Sequence, residues 1–80
     1  MALTFENMGK TIGLKQSRRA VREGRAKAAY VALDADSLIT DPFVQACNEE
    51  GVPVTEVATM RELGEAAGIE IGAAVVAILR

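Results

Sequence analysis

Residues 28–57 read AAYVALDADSLITDPFVQACNEEGVPVTEV. Ala28–Leu33 is an uninterrupted apolar run, the pattern of a strand buried on both faces. Asp34-Ala35-Asp36-Ser37 forms a polar loop beyond its C-terminal end. Asp41-Pro42 reads as an N-cap followed by Pro at the first helical position. The helix it opens runs to Glu50, stops at Gly51 and turns Phe43, Val44 and Cys47 inward. Val52–Val57 is the next strand. Helices alternating with strands that are apolar on both sides imply a sheet covered on both faces.

Outward from this unit the pattern continues. Thr59-Met60-Arg61-Glu62 is a capping box that opens a helix through Ala67, ended by Gly68. Ala73–Leu79 is a last apolar strand. On the N-terminal side, Leu14–Glu23 is a helix stopped by Gly24. Thr11-Ile12-Gly13 is a short strand entering a turn, and residues 3–9 are a short amphipathic helix with Leu3, Phe5 and Met8 on its apolar side. The expected fold class is α/β, a three-layer α/β/α sandwich with a four-stranded mixed sheet, formed by residues 1–80 as a single domain.

Composition removes several function classes. The chain has no His, which excludes His-based triads, His metal ligands and imidazole switches. Its one cysteine, Cys47, makes neither an internal disulfide nor a Cys-cluster zinc site. The N-terminal MALTFENMGK lacks the basic start and apolar run of a signal peptide, and no stretch approaches the ~20 apolar residues that span a bilayer. The expectation is a soluble, reduced, cytoplasmic protein without a membrane partner. Its core is built from Ala, Val, Leu and Ile, since the only aromatics are Phe5, Tyr30 and Phe43.

The net charge of −2 hides an asymmetry. Residues 10–27 carry Lys10, Lys15, Arg18, Arg19, Arg22, Arg25 and Lys27 against the single acid Glu23. Residues 28–80 carry Arg61 and Arg80 against nine acids. On a helical wheel, Lys15, Arg18, Arg19 and Arg22 share an arc of about 100°, with Leu14, Ala20 and Val21 opposite. Glu23 falls outside the arc. A local positive field on an acidic body points to an anionic partner. Arg suits phosphate and guanine edges. The stripe begins at Gly13, where a helix start offers free backbone N–H groups. Gln16 beside it both donates and accepts, as base reading requires.

The remaining candidates favour plain structural roles. Asp34-x-Asp36 is a two-carboxylate Mg²⁺ candidate short of ligands, better explained as loop and cap hydrogen bonding. Cys47 has no His to activate it and reads as core. Tyr30 reads as core or sheet edge. Gly64, Gly68 and Gly72 have helix-packing spacing, although Gly68 reads as a helix end, and no phosphate loop follows any of them. No nucleophile, base and orienting group come together, so no enzyme and no cofactor are expected.

Four blocks carry a family resemblance: Gly13-Leu14-Lys15-Gln16-Ser17-Arg18-Arg19 with Gly24; Tyr30-Val31-Ala32-Leu33-Asp34-Ala35-Asp36; Cys47-Asn48-Glu49-Glu50-Gly51-Val52-Pro53; and Leu63-Gly64-Glu65-Ala66-Ala67-Gly68-Ile69-Glu70. In this order and spacing they resemble the ribosomal L7Ae family, whose members bind kink-turn RNA, and the short length resembles its bacterial members. The resemblance covers residues 9–79 and implies an L30e-like fold.

The family's Gly-x-Asn-Glu-x-x-Lys signature lands on Gly13, Lys15, Gln16 and Arg19, with Lys15 in place of Asn and Gln16 in place of Glu. The resemblance implies that this helix start meets guanine edges beside sheared G·A pairs while the basic face, with Leu14, Arg18 and Arg22, meets phosphates. It also implies that the loop Val57-Ala58-Thr59-Met60 covers a flipped-out nucleotide, whose flat face suits an apolar loop. Leu33 stands where many members have a polar residue before the Asp. The implied function is non-catalytic recognition of kink-turns in structured RNA, ribosomal or riboswitch-like, by a monomer that needs no metal. The alternative is a protein-interaction or accessory module on the same fold, of the kind found beside some RNA methyltransferases.

Overall fold

A computed structural model of the chain describes residues 3–80. Seven elements follow one another: β1 (Lys10–Ile12), α1 (Leu14–Arg22), β2 (Ala26–Ala32), α2 (Ser37–Glu50), β3 (Val54–Val57), α3 (Met60–Ala67) and β4 (Val75–Leu79). They build the expected mixed sheet, with strand order β1-β4-β2-β3. The apolar β2 pairs in parallel with β3, Ala29 opposite Val54 and Ala32 opposite Val57, with α2 as the crossover. β4 runs antiparallel to both neighbours, β1 and β2. A bulge at Lys27 interrupts β2 between Ala26 and Ala28.

Each face of the sheet is covered. On one face α1 and α2 pack Ala20, Val21, Phe43, Ala46 and Cys47 against Ala29, Val31, Val75 and Ala77. On the other, Leu63, Ala66 and Ala67 of α3 pack against Ala32, Val57, Val76 and Ile78. Cys47 is fully buried, and desolvation pushes its thiol up to about 11, an inert core group.

Three expectations are corrected. Residues 3–9 form no helix. Asn7 adopts φ 66°, Met8 N–H donates to the Phe5 carbonyl (3.0 Å), and Phe5 N–H donates to the Ala66 carbonyl (2.9 Å). Seven residues are too few to hold an isolated helix, and the Phe5 ring instead fills the α3 layer, 4.6 Å from the Tyr30 ring. The element order therefore begins with β1. Second, α2 starts at Ser37, one turn before Asp41-Pro42. Asp36 is its N-cap, accepting from Leu38 N–H at 2.9 Å. Pro42 lies inside the helix and costs one backbone bond. Third, Leu33 is no buried strand residue; β2 ends at Ala32 and Leu33 is 60% exposed.

The helix ends match the reading. Gly24, Gly51 and Gly68 follow α1, α2 and α3 with positive φ. Thr59 caps α3 by accepting from Glu62 N–H at 3.1 Å. Gly64 and Gly72 have a different role: a Cβ on Gly64 would run into the Ile71 carbonyl oxygen, and one on Gly72 would lie 3.0 Å from the Met60 Cβ. The segment before β4 thus lies directly on the first turns of α3.

Candidate nucleic-acid interface

β1 ends at Gly13, whose φ of 95° and ψ of 157° turn the chain into α1. That φ suits glycine. Gly13 supplies no side-chain cap, so the first amides of α1 have no side chain accepting from them. The Gly13 N–H itself donates to the Val75 carbonyl at 3.1 Å. Ser17, fully buried, fixes the helix start to β1: its hydroxyl accepts from Thr11 Oγ1 (3.0 Å) and donates to the Thr11 carbonyl (3.2 Å). Sequence reading passed over Ser17, although it lies on the same side of the wheel as Ala20 and Val21.

Lys15, Gln16, Arg18, Arg19 and Arg22 are all exposed, and half-buried Leu14, which the wheel sets opposite the stripe, lines a groove together with Lys15, Arg18, Arg19 and Arg22. The stripe is not uniform, however. Arg19 Nε donates to Glu23 at 3.2 Å, and Arg25 reaches the other Glu23 oxygen at 2.8 Å. Arg22 reaches across to α2, 2.7 Å from Glu49 and 3.4 Å from Glu50. The Arg22 guanidinium holds the Glu49 carboxyl below its ordinary pKa, and Arg19 and then Arg25 do the same for Glu23. Among the described residues Lys15 and Arg18 pair with no carboxylate. Lys15 and Arg18 thus leave unpaired positive charge at the open end of α1. Lys10, Lys27 and Arg80, also without a carboxylate among the described residues, stand at the other end of the sheet.

Backbone bonds carry the same edge of the molecule across to α3. Gly13 N–H meets the Val75 carbonyl, Ala32 N–H the Ala74 carbonyl and Leu33 N–H the Val57 carbonyl. Met60 N–H then donates to Asp34 Oδ1 at 2.7 Å, and Ala73 N–H to the Met60 carbonyl at 3.0 Å. The start of α1 and the loop 57–60 thus share one end of the sheet, three strand spacings or about 15 Å apart. Within that loop Val57 is buried in the core, Thr59 is committed as a cap, Met60 is half-buried and only Ala58 is exposed.

More apolar surface stands nearby at residues the sequence reading did not assign to a site. Leu33, Leu38 and Ile71 are 60, 81 and 75% exposed, and each lies in or beside a loop at this same end. Ile71 carried a readable signal, a large apolar residue within a loop between Gly68 and Gly72. Asp34 and Asp36 are both spent on helix caps, and the described residues contain no group of three or more potential metal ligands. A groove between α2 and the strands β2 and β3 is lined by Asp41, Glu49 and Glu56 and has no Lys or Arg, so it repels an anion.

Comparison with known proteins gives a consistent picture. The family model described as ribosomal protein L7Ae/L30e/S12e/Gadd45 matches residues 6–80. An RNA-binding protein of Geobacillus sp. (strain WCH70) is 51% identical over 73 residues, covering 90% of this chain and 89% of that protein. RNA-binding protein YbxF of Geobacillus stearothermophilus is 52% identical over 69 residues, covering 86% and 84%. Among solved structures, the Giardia lamblia 15.5kD RNA binding protein superposes with a TM-score of 0.83 at 26% identity. That match covers 89% of this chain, which spans 60% of the Giardia protein.

Proposed function

The chain belongs to the ribosomal protein L7Ae/L30e/S12e/Gadd45 family, and from that premise we propose that it is a non-catalytic RNA-binding protein that recognises and stabilises kink-turns. The observation that carries this reading is the shared end of the sheet. An uncapped helix start with unpaired Lys15 and Arg18 shares one end of the sheet with exposed Leu33, Leu38, Ala58 and Ile71. Charge and open amides suit phosphates and base edges. Exposed apolar side chains suit the face of an unstacked base. A duplex meets only the first set. A sharply bent RNA with an extruded nucleotide meets both, so binding favours the bent state over the extended one. A ribosomal or riboswitch-like RNA in the cytoplasm presents such a motif.

The test is a titration of the purified protein into a kink-turn RNA at ~0.15 M salt, beside a duplex whose G·A pairs are replaced by Watson–Crick pairs. Submicromolar binding to the first, at least tenfold tighter than to the second and falling steeply with salt, is the expected result. Equal, weak binding to both overturns the reading.

A further inference from the structure

Two of the three arginines that the wheel counts as one stripe, Arg19 and Arg22, are held by carboxylates from two directions. Glu23 takes Arg19 and Arg25, and Glu49 and Glu50 of α2 take Arg22 from the neighbouring helix. Glu49 is itself steadied by Gln45 Nε2 at 3.4 Å. All of these groups are exposed, so the pairs contribute little to folding. Their effect is on the field. They cancel positive charge along the far half of α1 and leave Lys15 and Arg18 beside the open helix start.

We infer that Glu49 and Glu50 are specificity-determining residues: they occupy Arg22 as internal competitors for phosphate and so penalise RNA that offers charge alone. This rests on the RNA-binding reading above and adds to it how that site discriminates. A plain duplex gains affinity mostly by counterion release from phosphate contacts. To use Arg22 it must first displace a carboxylate that is already in place. An RNA that also engages the α1 amides and the exposed apolar side chains has other sources of affinity and is penalised less.

The experiment compares three variants of the full chain by titration with the kink-turn RNA and the control duplex across 50–200 mM salt. Glu49→Gln/Glu50→Gln frees Arg22 while keeping side-chain shape. Asp41→Asn/Glu56→Gln changes net charge equally at carboxylates that pair with no cation among the described residues. The third adds Arg22→Ala to the first. The first is expected to bind the duplex about threefold or more tightly than wild type at low salt, with a log–log salt slope steeper by about one phosphate contact. Its kink-turn affinity rises less, so the ratio between the two RNAs falls. The third variant returns duplex binding to the wild-type level.

An equal gain from Asp41→Asn/Glu56→Gln overturns the inference in favour of net charge. An unchanged RNA ratio, or a gain that survives Arg22→Ala, also overturns it. A wild-type protein that fails to separate the two RNAs refutes the functional reading instead, a result visible before any variant is made.

Discussion

Lys15 and Arg18 differ from Arg22 in their surroundings, and that difference decides what each can contribute. The first two are exposed without a carboxylate partner, whereas Arg22 is engaged by Glu49 and Glu50. Lys15→Ala and Arg18→Ala are each expected to weaken binding to every RNA tested and to reduce the salt slope by about one. Arg22→Ala is expected to change the slope by much less, and filter binding across a salt series reads all three. The same pairs set a pH signature. Glu23 and Glu49 have folded pKa values below the unfolded one. Their small contribution to stability is therefore fully present above the ordinary glutamate value of about 4.3, and it is lost as pH falls through their lowered values. Carboxyl carbon NMR should place both midpoints below about 4.3; midpoints at the ordinary value would mean that the pairs do not form in solution.

At the scale of elements, helix stops were more legible than starts. Gly24, Gly51 and Gly68 follow helices in the positive-φ conformation that glycine tolerates, and Thr59 with Glu62 announces α3. The start of α2 is hard to read because its N-cap, Asp36, lies one turn before Asp41-Pro42, which is the stronger local signal. Asp36 prevails because its cap comes with another turn of helix, which outweighs the one bond lost at Pro42. The exposed Leu33 looked like strand because an apolar run does not reveal where pairing ends. Close approaches were also hidden, since spacing cannot say what a glycine faces. Gly64→Ala would push a methyl into the Ile71 carbonyl, with the Gly72 Cα 3.1 Å away. The expected cost is at least the ~1–3 kcal/mol of overpacking, read by urea denaturation. Because the displaced backbone carries the exposed Ile71, kink-turn affinity should fall as well.

Across the whole molecule, the three layers and the mixed sheet were legible because the central strands, β2 and β4, are largely apolar on both faces and the strands alternate with helices. What closes the second layer was not. Phe5 lies in a segment that looks weakly helical on its own, yet it is 2% exposed beneath α3 and against Tyr30. Phe5→Ala is expected to cost about 3–5 kcal/mol, a large share of the ~5–15 kcal/mol typical of a domain. Denaturant unfolding should show the midpoint falling accordingly; a loss below 1 kcal/mol would mean that the N-terminal segment is not part of the core. The stripe was legible as a helix face. Its partial neutralisation was not, because Glu49 and Glu50 lie far along the chain and meet Arg22 only when α1 and α2 pack together.

The strand order has a consequence for synthesis. β4, the last element in chain order, lies between β1 and β2 in the interior of the sheet. A chain growing from its N-terminus has made both flanking strands before the one that joins them, so β1 and β2 have no direct pairing to hold them together in the meantime. The Gly13–Val75 and Ala32–Ala74 bonds that align this end of the sheet arrive with that last strand. A ribosome that stalls or a protease that clips before Val75 therefore leaves an exposed basic helix without the frame that orients it. The frame that sets the start of α1 against the other loops at this end therefore forms only once β4 is in place.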